Sequence, residues 1–213
     1  MNNKEFPKKI AENVILYSPN PILYLVKDFI TKNECEGFVK VLDSQLTSDH
    51  DADNSQIIYL NNNFENFTID HDANDLVHEL SKRLSILAQT SIRNAEPYEV
   101  RHYKKGIDPE LSFEAFDVAS QRDKERLVKG GQRMLSTIFF LNDTNEESGF
   151  AFPSLKLSIP AKQGDVVVLH NTDVSNSYSE YPEIHSDSIH APIKINSDNQ
   201  MIGYLRFREG LLY

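Results

Sequence analysis

The sequence predicts an α+β protein, a double-stranded β-helix (jelly roll) with N-terminal helices packed on one sheet. After Pro97, short β-rich runs alternate with turn residues, which is typical of sandwiches and barrels. Before Pro97, two helical patterns stand out. The 213 residues show no repeating βαβ pattern and no low-complexity linker. We therefore expect a single domain, 1–213, made of a strand and helix annex (1–96) and a jelly-roll core (97–213).

A capping box predicts where the first helix begins. Thr31 is a favourable N-cap residue and Glu34 follows it by three positions, so each side chain can bond to the backbone N–H of the other. Phe38, Leu42 and Leu46 then recur every four positions, as on one face of a helix. A short strand is expected next, at 55–63. A second helical stripe contains Leu76, Leu80, Leu84 and Leu87.

The strands of the predicted core are apolar runs bounded by turn-forming residues. In chain order they read YEVRHY, MLSTIFFLN, LKLSIPA, DVVVLHN, SIHAPIKI and QMIGYLRFRE. An earlier apolar run, PILYLVKDFI, leads into the capping box.

The charge balance argues against nucleic acid as a partner. The chain carries 22 basic and 32 acidic residues, for a net charge of −10, and such a surface repels phosphate backbones. We find neither a signal peptide nor an apolar run of the roughly 20 residues that cross a membrane. We expect a protein that is cytoplasmic or incorporated into a virion, and not secreted.

Two other features are predicted to be structural. Cys35, the single cysteine, excludes an internal disulfide, and its place in a helical pattern favours a core position over a nucleophile. The acidic segments DHDADN (49–54) and DHDAND (70–75) lack the spacing and central Gly of a calcium loop. We predict loops or helix starts there, not metal sites.

The order of motifs in the second half suggests a family. Tyr103 is followed by QRMLSTIFFLND, FPSLKLSIPAKQGDVVVLHN, SIHAPIKI and QMIGYLRFREG. This series resembles the prolyl 4-hydroxylase branch of the iron(II)/2-oxoglutarate dioxygenases, and so does the N-terminal PILYLVKDFITKNECEGFV. The resemblance extends over nearly the whole chain and implies the double-stranded β-helix fold.

The resemblance also implies a site. Family members hold iron with two histidines and one carboxylate, leaving positions open for 2-oxoglutarate and oxygen. The first two ligands are written His-x-Asp, and a Lys about ten residues after the second His pairs with 2-oxoglutarate. Tyr103 and Thr137 match positions lining the 2-oxoglutarate pocket, and His190 matches the distal iron ligand.

The segment SFEAFD (112–117) departs from that pattern because it contains no histidine. If Asp117 is the retained carboxylate, Ala115 stands at the proximal histidine position. If the alignment is shifted by one residue, Phe116 and Val118 stand at the two ligand positions. Neither Ala nor Phe has a lone pair for iron.

The position of the 2-oxoglutarate anchor is also altered. Counting from His190 places Gln200 there, and a neutral amide cannot give charge-assisted pairing. On a strand, the side chains of Arg206 and Arg208 would lie on the same face as position 200, but farther along the chain. The Gly-Gly-Glu-Thr turn of the family reads EESGFA (146–151).

These departures favour a pseudoenzyme that keeps the fold without the chemistry. We expect no cofactor, and a structural or binding role with protein partners in a larger assembly or a homo-oligomer. Because proteins of this branch also occur among the virion genes of tailed phages, a neck or tail component is a candidate role. Asp117 and His190 would be remnants of the metal site.

The alternative is an active dioxygenase that hydroxylates prolyl or other peptide residues with iron(II), 2-oxoglutarate and ascorbate. It requires Glu114 to replace the missing histidine as a ligand, and it leaves the 2-oxoglutarate anchor unsolved. His102 and His170 lie in strands of the same region, whereas His185 is not at the distal ligand position.

Overall fold

The computed structural model describes residues 6–48, 64–143, 148–173, 179–193 and 199–213. The strand expected at 55–63, the acidic segment 49–54 and the side chain of Leu46 lie outside this description, as does part of the EESGFA turn.

Three α-helices and thirteen strands make up the described chain. The helices are α1 (Lys32–Ser48), α2 (Asp75–Leu87) and α3 (Gln121–Leu127). The strands are β1 (Lys8–Lys9), β2 (Val14–Pro19), β3 (Ile22–Val26), β4 (Phe64–Ile69), β5 (Tyr98–Tyr103), β6 (Arg133–Phe140), β7 (Gly149–Phe152), β8 (Leu157–Pro160), β9 (Val166–His170), β10 (Thr172–Asp173), β11 (Glu183–Ile184), β12 (Ala191–Pro192) and β13 (Gln200–Arg208).

The capping box is confirmed. The Thr31 N–H donates to Oε2 of Glu34 at 2.8 Å, and the Glu34 N–H donates to Oγ1 of Thr31 at 3.3 Å. Asn74 caps α2 by accepting the N–H of Val77 at 2.9 Å. Both helices therefore begin with a side chain satisfying a backbone donor that the helix leaves free.

Antiparallel strands form one large sheet and one small sheet, which confirms the predicted α+β double-stranded β-helix. The large sheet has the order β1-β2-β3-β9-β6-β13-β5-β4, and the small sheet has the order β12-β7-β8. A separate pair, β10-β11, lies between β9 and β12 in the sequence.

Two apolar cores lie on opposite faces of the large sheet. On one face, α1 and α2 pack through Phe38, Val77 and Leu80 against strand residues such as Leu205 and Phe207. The other face is covered by the small sheet. Its core contains Ile138, Phe140, Phe150, Phe152, Ile159, Ile202 and Tyr204. Alternate residues of β6 and β13 thus face helices or the interior between the sheets.

Cys35 is buried in the helical core, as predicted. Burial raises the pKa of its thiol to about 12, so the thiolate that reacts as a nucleophile is scarce at neutral pH. Among the described residues, no helix combines the length and apolar character needed to cross a membrane.

Candidate functional site

Polar side chains on β5 and β13 project into the interior between the two sheets. The strands pair antiparallel, with Gln200 opposite Tyr103, and Tyr204 opposite Glu99. Because side chains alternate along a strand, the odd-numbered residues of β5 and the even-numbered residues of β13 share this face. The interior residues of β5 are Glu99, Arg101 and Tyr103, and those of β13 are Gln200, Ile202, Tyr204, Arg206 and Arg208.

Four of the charged side chains around this interior form a closed set, which we call the four-charge cluster: Glu99, Arg101, Glu114 and Arg206. Nε of Arg206 donates to Oε2 of Glu114 at 2.5 Å, and Nη1 donates to Oε2 of Glu99 at 2.9 Å. Nε of Arg101 donates to Oε1 of Glu99 at 2.6 Å, and its Nη1 lies 3.5 Å from Oε1 of Glu114. Carboxylates and guanidinium groups therefore alternate, and their formal charges cancel.

Both carboxyl groups are held in the ionised form. Burial alone raises a carboxyl pKa, but the guanidinium groups of Arg206 and Arg101 outweigh this effect. The result is a pKa of about 2 for Glu99 and a pKa for Glu114 well below its ordinary range. The same attraction, from Glu114 and Glu99, raises the pKa of Arg206 despite its burial.

His190 lies against the cluster in an aromatic setting. Its ring stacks on Phe152 with a centroid distance of 5.2 Å and meets the edge of Phe150 at 5.5 Å. Nδ1 lies 2.8 Å from the Ser188 carbonyl, which assigns the ring proton to Nδ1. Burial lowers the pKa of His190, although Glu114 opposes this shift. Nε2 therefore presents a lone pair, 3.9 Å from Oε1 of Glu114.

Backbone pairing decides which part of SFEAFD adjoins His190. The Ser112 N–H donates to the His190 carbonyl at 2.9 Å, and the His190 N–H donates to the Ser112 carbonyl at 3.1 Å. Ser112 and Glu114 therefore lie beside His190, whereas the two registers considered from the sequence placed the ligand positions farther along the chain, at 115–118.

This pairing corrects the position expected for Asp117. Asp117 is exposed, and its Oδ1 accepts the Ala119 N–H at 2.9 Å in the turn before α3. The structure does not bring Asp117 to His190, and Glu114 takes that place. Ala115 and Phe116 are buried, and Phe116 lies between the guanidinium groups of Arg133 and Arg208, at 4.4 and 4.7 Å from the ring centre.

Thr137 also departs from its expected position. It is buried on the helical face of β6, where its hydroxyl donates to the Leu205 carbonyl at 3.3 Å. Ser136 faces the interior instead, and its Oγ accepts a hydrogen bond from Nδ2 of Asn171 at 2.9 Å. A shift of one residue along a strand reverses the face, so Thr137 does not line the interior.

Tyr103 and Gln200 are buried side by side in the interior. Within the described ranges, Nε2 of Gln200 has no hydrogen-bond partner, and neither has the hydroxyl of Tyr204. The guanidinium of Arg101 lies 4.1 Å from the centre of the Tyr204 ring. A cavity of about 140 Å³ adjoins them. It is lined by Phe64, Arg101, Tyr103, Pro109, Glu110, Leu111, Ser112 and Pro192.

The remaining candidates lie outside the cluster. Arg208 pairs with Glu96 at 2.9 Å and so does not reach Glu114. Nδ1 of His102 lies 3.1 Å from Glu65, and His185 caps the short turn Ser186–Ser188. His71, in the second acidic segment, packs against Ser81 and the Ala95 carbonyl. Across the described ranges, no three His, Cys, Asp or Glu side chains come together in a way that could hold a metal ion.

No protein-family model matches the chain. Sequence comparison finds curated relatives at low identity. A putative prolyl 4-hydroxylase of Acanthamoeba polyphaga mimivirus is 24% identical over 193 residues, covering 87% of this chain and 74% of that protein. Probable prolyl 4-hydroxylase 7 of Arabidopsis thaliana is 22% identical, covering 79% of this chain and 56% of that protein. The chain thus spans between about half and three quarters of these relatives.

Comparison with solved structures shows the same fold. The viral collagen prolyl hydroxylase vCPH of Paramecium Bursaria Chlorella virus-1, in its 2-oxoglutarate complex, matches with a TM-score of 0.65 and 16% identity. The match covers 87% of this chain and 94% of that one. A Pseudomonas putida prolyl-4-hydroxylase matches with a TM-score of 0.52 and 10% identity, covering 87% and 91%.

Proposed function

We propose that this chain, a distant relative of the prolyl 4-hydroxylases with the fold of the iron(II)/2-oxoglutarate dioxygenases, has no oxygenase activity and serves as a binding or structural module. The observation that carries the proposal is the make-up of the site at His190. Serine and glutamate lie beside His190, and Ser112 contributes no imidazole. Glu114 is already engaged in an ion pair with Arg206.

The residues present do not fit an iron ion. The facial arrangement requires three ligands with open positions beside them. Here two candidate ligands, Glu114 and His190, face each other at 3.9 Å, and a guanidinium group lies on the carboxylate. A cation at this point would be repelled by Arg206 and Arg101.

The residues present do not fit 2-oxoglutarate either. Gln200 replaces the basic anchor, and Arg101 is committed to Glu99. The adjoining cavity of about 140 Å³ is smaller than the usual small-molecule site, which encloses about 300–1,000 Å³.

A second candidate function is peptidyl hydroxylation, which is favoured by the names of the sequence relatives. It would use iron(II), 2-oxoglutarate and ascorbate, with Glu114 and His190 as ligands. This activity requires Arg206 to leave Glu114 and a further ligand to enter.

The decisive experiment measures metal and turnover together. The purified protein is loaded anaerobically with iron(II), desalted and assayed for iron per chain. It is then assayed for 2-oxoglutarate decarboxylation with and without a proline-rich peptide. We expect neither stoichiometric iron nor decarboxylation above a heat-denatured control. Near-stoichiometric iron with turnover would overturn the proposal in favour of the hydroxylase.

The binding or structural role is tested by size and association. We expect light scattering to detect a homo-oligomer, or a stable complex with a protein from the source organism. A chain that stays monomeric at high concentration and retains no partner contradicts this role. The narrower prediction of a phage neck or tail component requires virion genes on both sides of its gene, and neighbours of another kind would exclude it.

A further inference from the structure

A groove of about 460 Å³ opens on the surface beside Phe116, where residues of α3 and the ends of β6 and β13 line it. Six of the lining residues are charged: Glu96, Glu125, Arg126, Lys129, Arg133 and Arg208. Four cations against two carboxylates give the lining a formal charge of +2, although the chain as a whole carries −10. The groove shares no residue with the cavity beside Tyr103, and its volume lies in the usual range of small-molecule sites.

The floor of the groove carries more positive than negative charge. Glu96 pairs with Arg133 at 2.6 Å and with Arg208 at 2.9 Å, so one carboxylate serves two largely buried guanidinium groups. The adjacent four-charge cluster is neutral and supplies no further counter-charge. Burial and the charge of Arg206 lower the pKa of Arg133, as expected where positive charge is incompletely compensated. An anion entering the groove would therefore be attracted by the floor.

Arg208 also positions the cations at the rim of the groove. Its Nη2 lies within hydrogen-bond distance of the carbonyls of Arg126, Lys129 and Gly131, at 2.6, 2.7 and 2.5 Å. These contacts hold the end of α3 against β13, while the side chains of Arg126 and Lys129 remain exposed. Arg126 has a loose contact of 3.7 Å with Asp123, and Lys129 forms no ion pair with another described residue. Both cations are available to a ligand.

An apolar surface lies directly beside these cations. The centre of the Phe116 ring is 4.4 Å from the guanidinium carbon of Arg133, 4.7 Å from that of Arg208 and 5.7 Å from that of Arg126. Leu212 also lines the groove. Guanidinium groups pair with carboxylates and phosphates through charge-assisted hydrogen bonds, and the ring and Leu212 can cover the apolar part of the same molecule.

We propose that this groove binds a small organic anion, with its carboxylate or phosphate group held by Arg126 and Lys129 and its apolar part packed on Phe116 and Leu212. The inference goes beyond the proposed function, because the groove is separate from the site at His190. It assigns the chain a second place for a ligand and gives the chemistry of that ligand.

The test is a titration of the ¹⁵N-labelled chain with phenyl phosphate and, separately, with benzoate, at fixed ionic strength and followed by NMR. We expect saturable shifts of the backbone amides of Phe116, Lys129 and Gly131 with at least one of the two anions. Benzamide, the neutral analogue of benzoate, should cause none. The anion with the lower Kd identifies the charged group as a phosphate or a carboxylate.

Matched variants separate a local site from the effect of net charge. Arg126→Gln with Lys129→Gln removes both rim cations and should raise the Kd at least about tenfold. Arg122→Gln with Lys124→Gln removes the same charge from exposed positions of α3 outside the groove. This control should change the Kd less than about twofold, because salt screens distant charges. Glu125→Gln removes a carboxylate from the groove and should lower the Kd.

Three results would overturn the inference: no saturable shift with either anion, an equal response to benzamide, or equal Kd values for the two double variants. All the substituted side chains are exposed, so each variant is expected to fold. If a double variant does not fold, the fall in Kd expected for Glu125→Gln is the deciding measurement, and an unchanged or higher Kd contradicts the site.

The outcomes are independent of the proposed function. Absence of anion binding overturns this inference and leaves the iron, turnover and size measurements to decide the role of the chain. Stoichiometric iron with turnover would overturn the proposed function and leave anion binding in the groove unaffected.

Discussion

Nε of Arg206 donates a hydrogen bond of 2.5 Å to Oε2 of Glu114, joining two buried residues that lie 92 positions apart in the sequence. The bond ties the central strand β13 to the segment after β5. It also places a positive charge on the carboxylate that lies beside His190.

Glu114 and Arg206 should be strongly coupled in stability. We expect Glu114→Ala and Arg206→Ala each to cost about 3–5 kcal/mol, because each leaves a buried charge without its partner. The double variant should lose less than the sum, with a coupling of about 1–3 kcal/mol. Urea unfolding of the four proteins measures this cycle.

The exposed pair Glu79–Lys82 on α2 is a matched control. Its atoms are 2.6 Å apart, but the side chains are 65% and 49% exposed. Solvent screening should leave its coupling far smaller than that of the buried pair. A coupling at Glu114–Arg206 no larger than this would contradict the importance of the buried pair.

The four-charge cluster predicts acid sensitivity. Glu99 has a folded pKa of about 2 against an ordinary value of 4.5, and that of Glu114 is also lowered. A carboxyl with a lowered folded pKa binds protons more readily when unfolded, so its stabilisation is complete above the ordinary pKa. This stabilisation is lost as pH falls from about 4.5 through the folded value.

Urea unfolding between pH 7 and pH 3 measures the effect. We expect the free energy of unfolding to fall below pH 4.5, and to fall less steeply in the Glu114→Gln, Arg206→Met double variant. Equal slopes for the two proteins would show that other carboxyl groups account for acid unfolding.

Ser112→His tests whether the missing imidazole is enough to restore a metal site. We expect no stoichiometric Ni²⁺ binding by this variant alone, because Arg101 and Arg206 still neutralise Glu114. Combined with Arg101→Met and Arg206→Met, it should bind Ni²⁺ at least about tenfold more tightly than that double variant does, since a third ligand is added. Isothermal titration calorimetry measures both affinities.

Phe113→His is the control for that experiment. Phe113 is the immediate neighbour of Ser112 and is 39% exposed. An imidazole there should not improve Ni²⁺ binding in the same double-variant background. Tight binding by Ser112→His with Arg101 and Arg206 intact would contradict the role given to the two arginines.

The turn at Gly164 should tolerate no side chain. Its φ is +84°, and an added Cβ would lie 2.1 Å from the Ile30 carbonyl oxygen. Gly106 has a similar φ of +81° but open space around it. We expect Gly164→Ala to cost at least about 2 kcal/mol more than Gly106→Ala, because only the first adds a clash to backbone strain. Thermal unfolding checks this, and equal losses would exclude the clash.

Local features of the sequence were sufficient for most of the fold. The Thr31–Glu34 capping box and the apolar stripe that repeats every four residues identified α1, because residues three or four positions apart are neighbours on a helix. Alternating apolar residues and turn signals located β5, β6, β9 and β13. SIHAPIKI was less informative, since only Ala191–Pro192 of it forms a strand in the described chain.

Sequence patterns alone placed the site residues less well, because a shift of one position moves a side chain to the other face of a strand. Thr137 and Ser136 differ by one residue and face opposite sides of β6, and local pattern alone does not choose between them. Similarly, the sequence alone does not decide which residue of SFEAFD lies beside His190. The backbone pairing of Ser112 with His190 decides it, and this pairing joins segments far apart in the chain.

The sequence by itself determined that the chain forms a double-stranded β-helix and that SFEAFD contains no histidine. Only the tertiary structure decided that Glu114, and not Asp117, lies beside His190 and that Arg206 pairs with it. The physical reason is that ion pairing depends on distances between segments far apart in the chain, which the Ser112–His190 pairing and the antiparallel register of β5 with β13 set. Composition and periodicity record which residues are present, whereas the folded chain determines which charges meet.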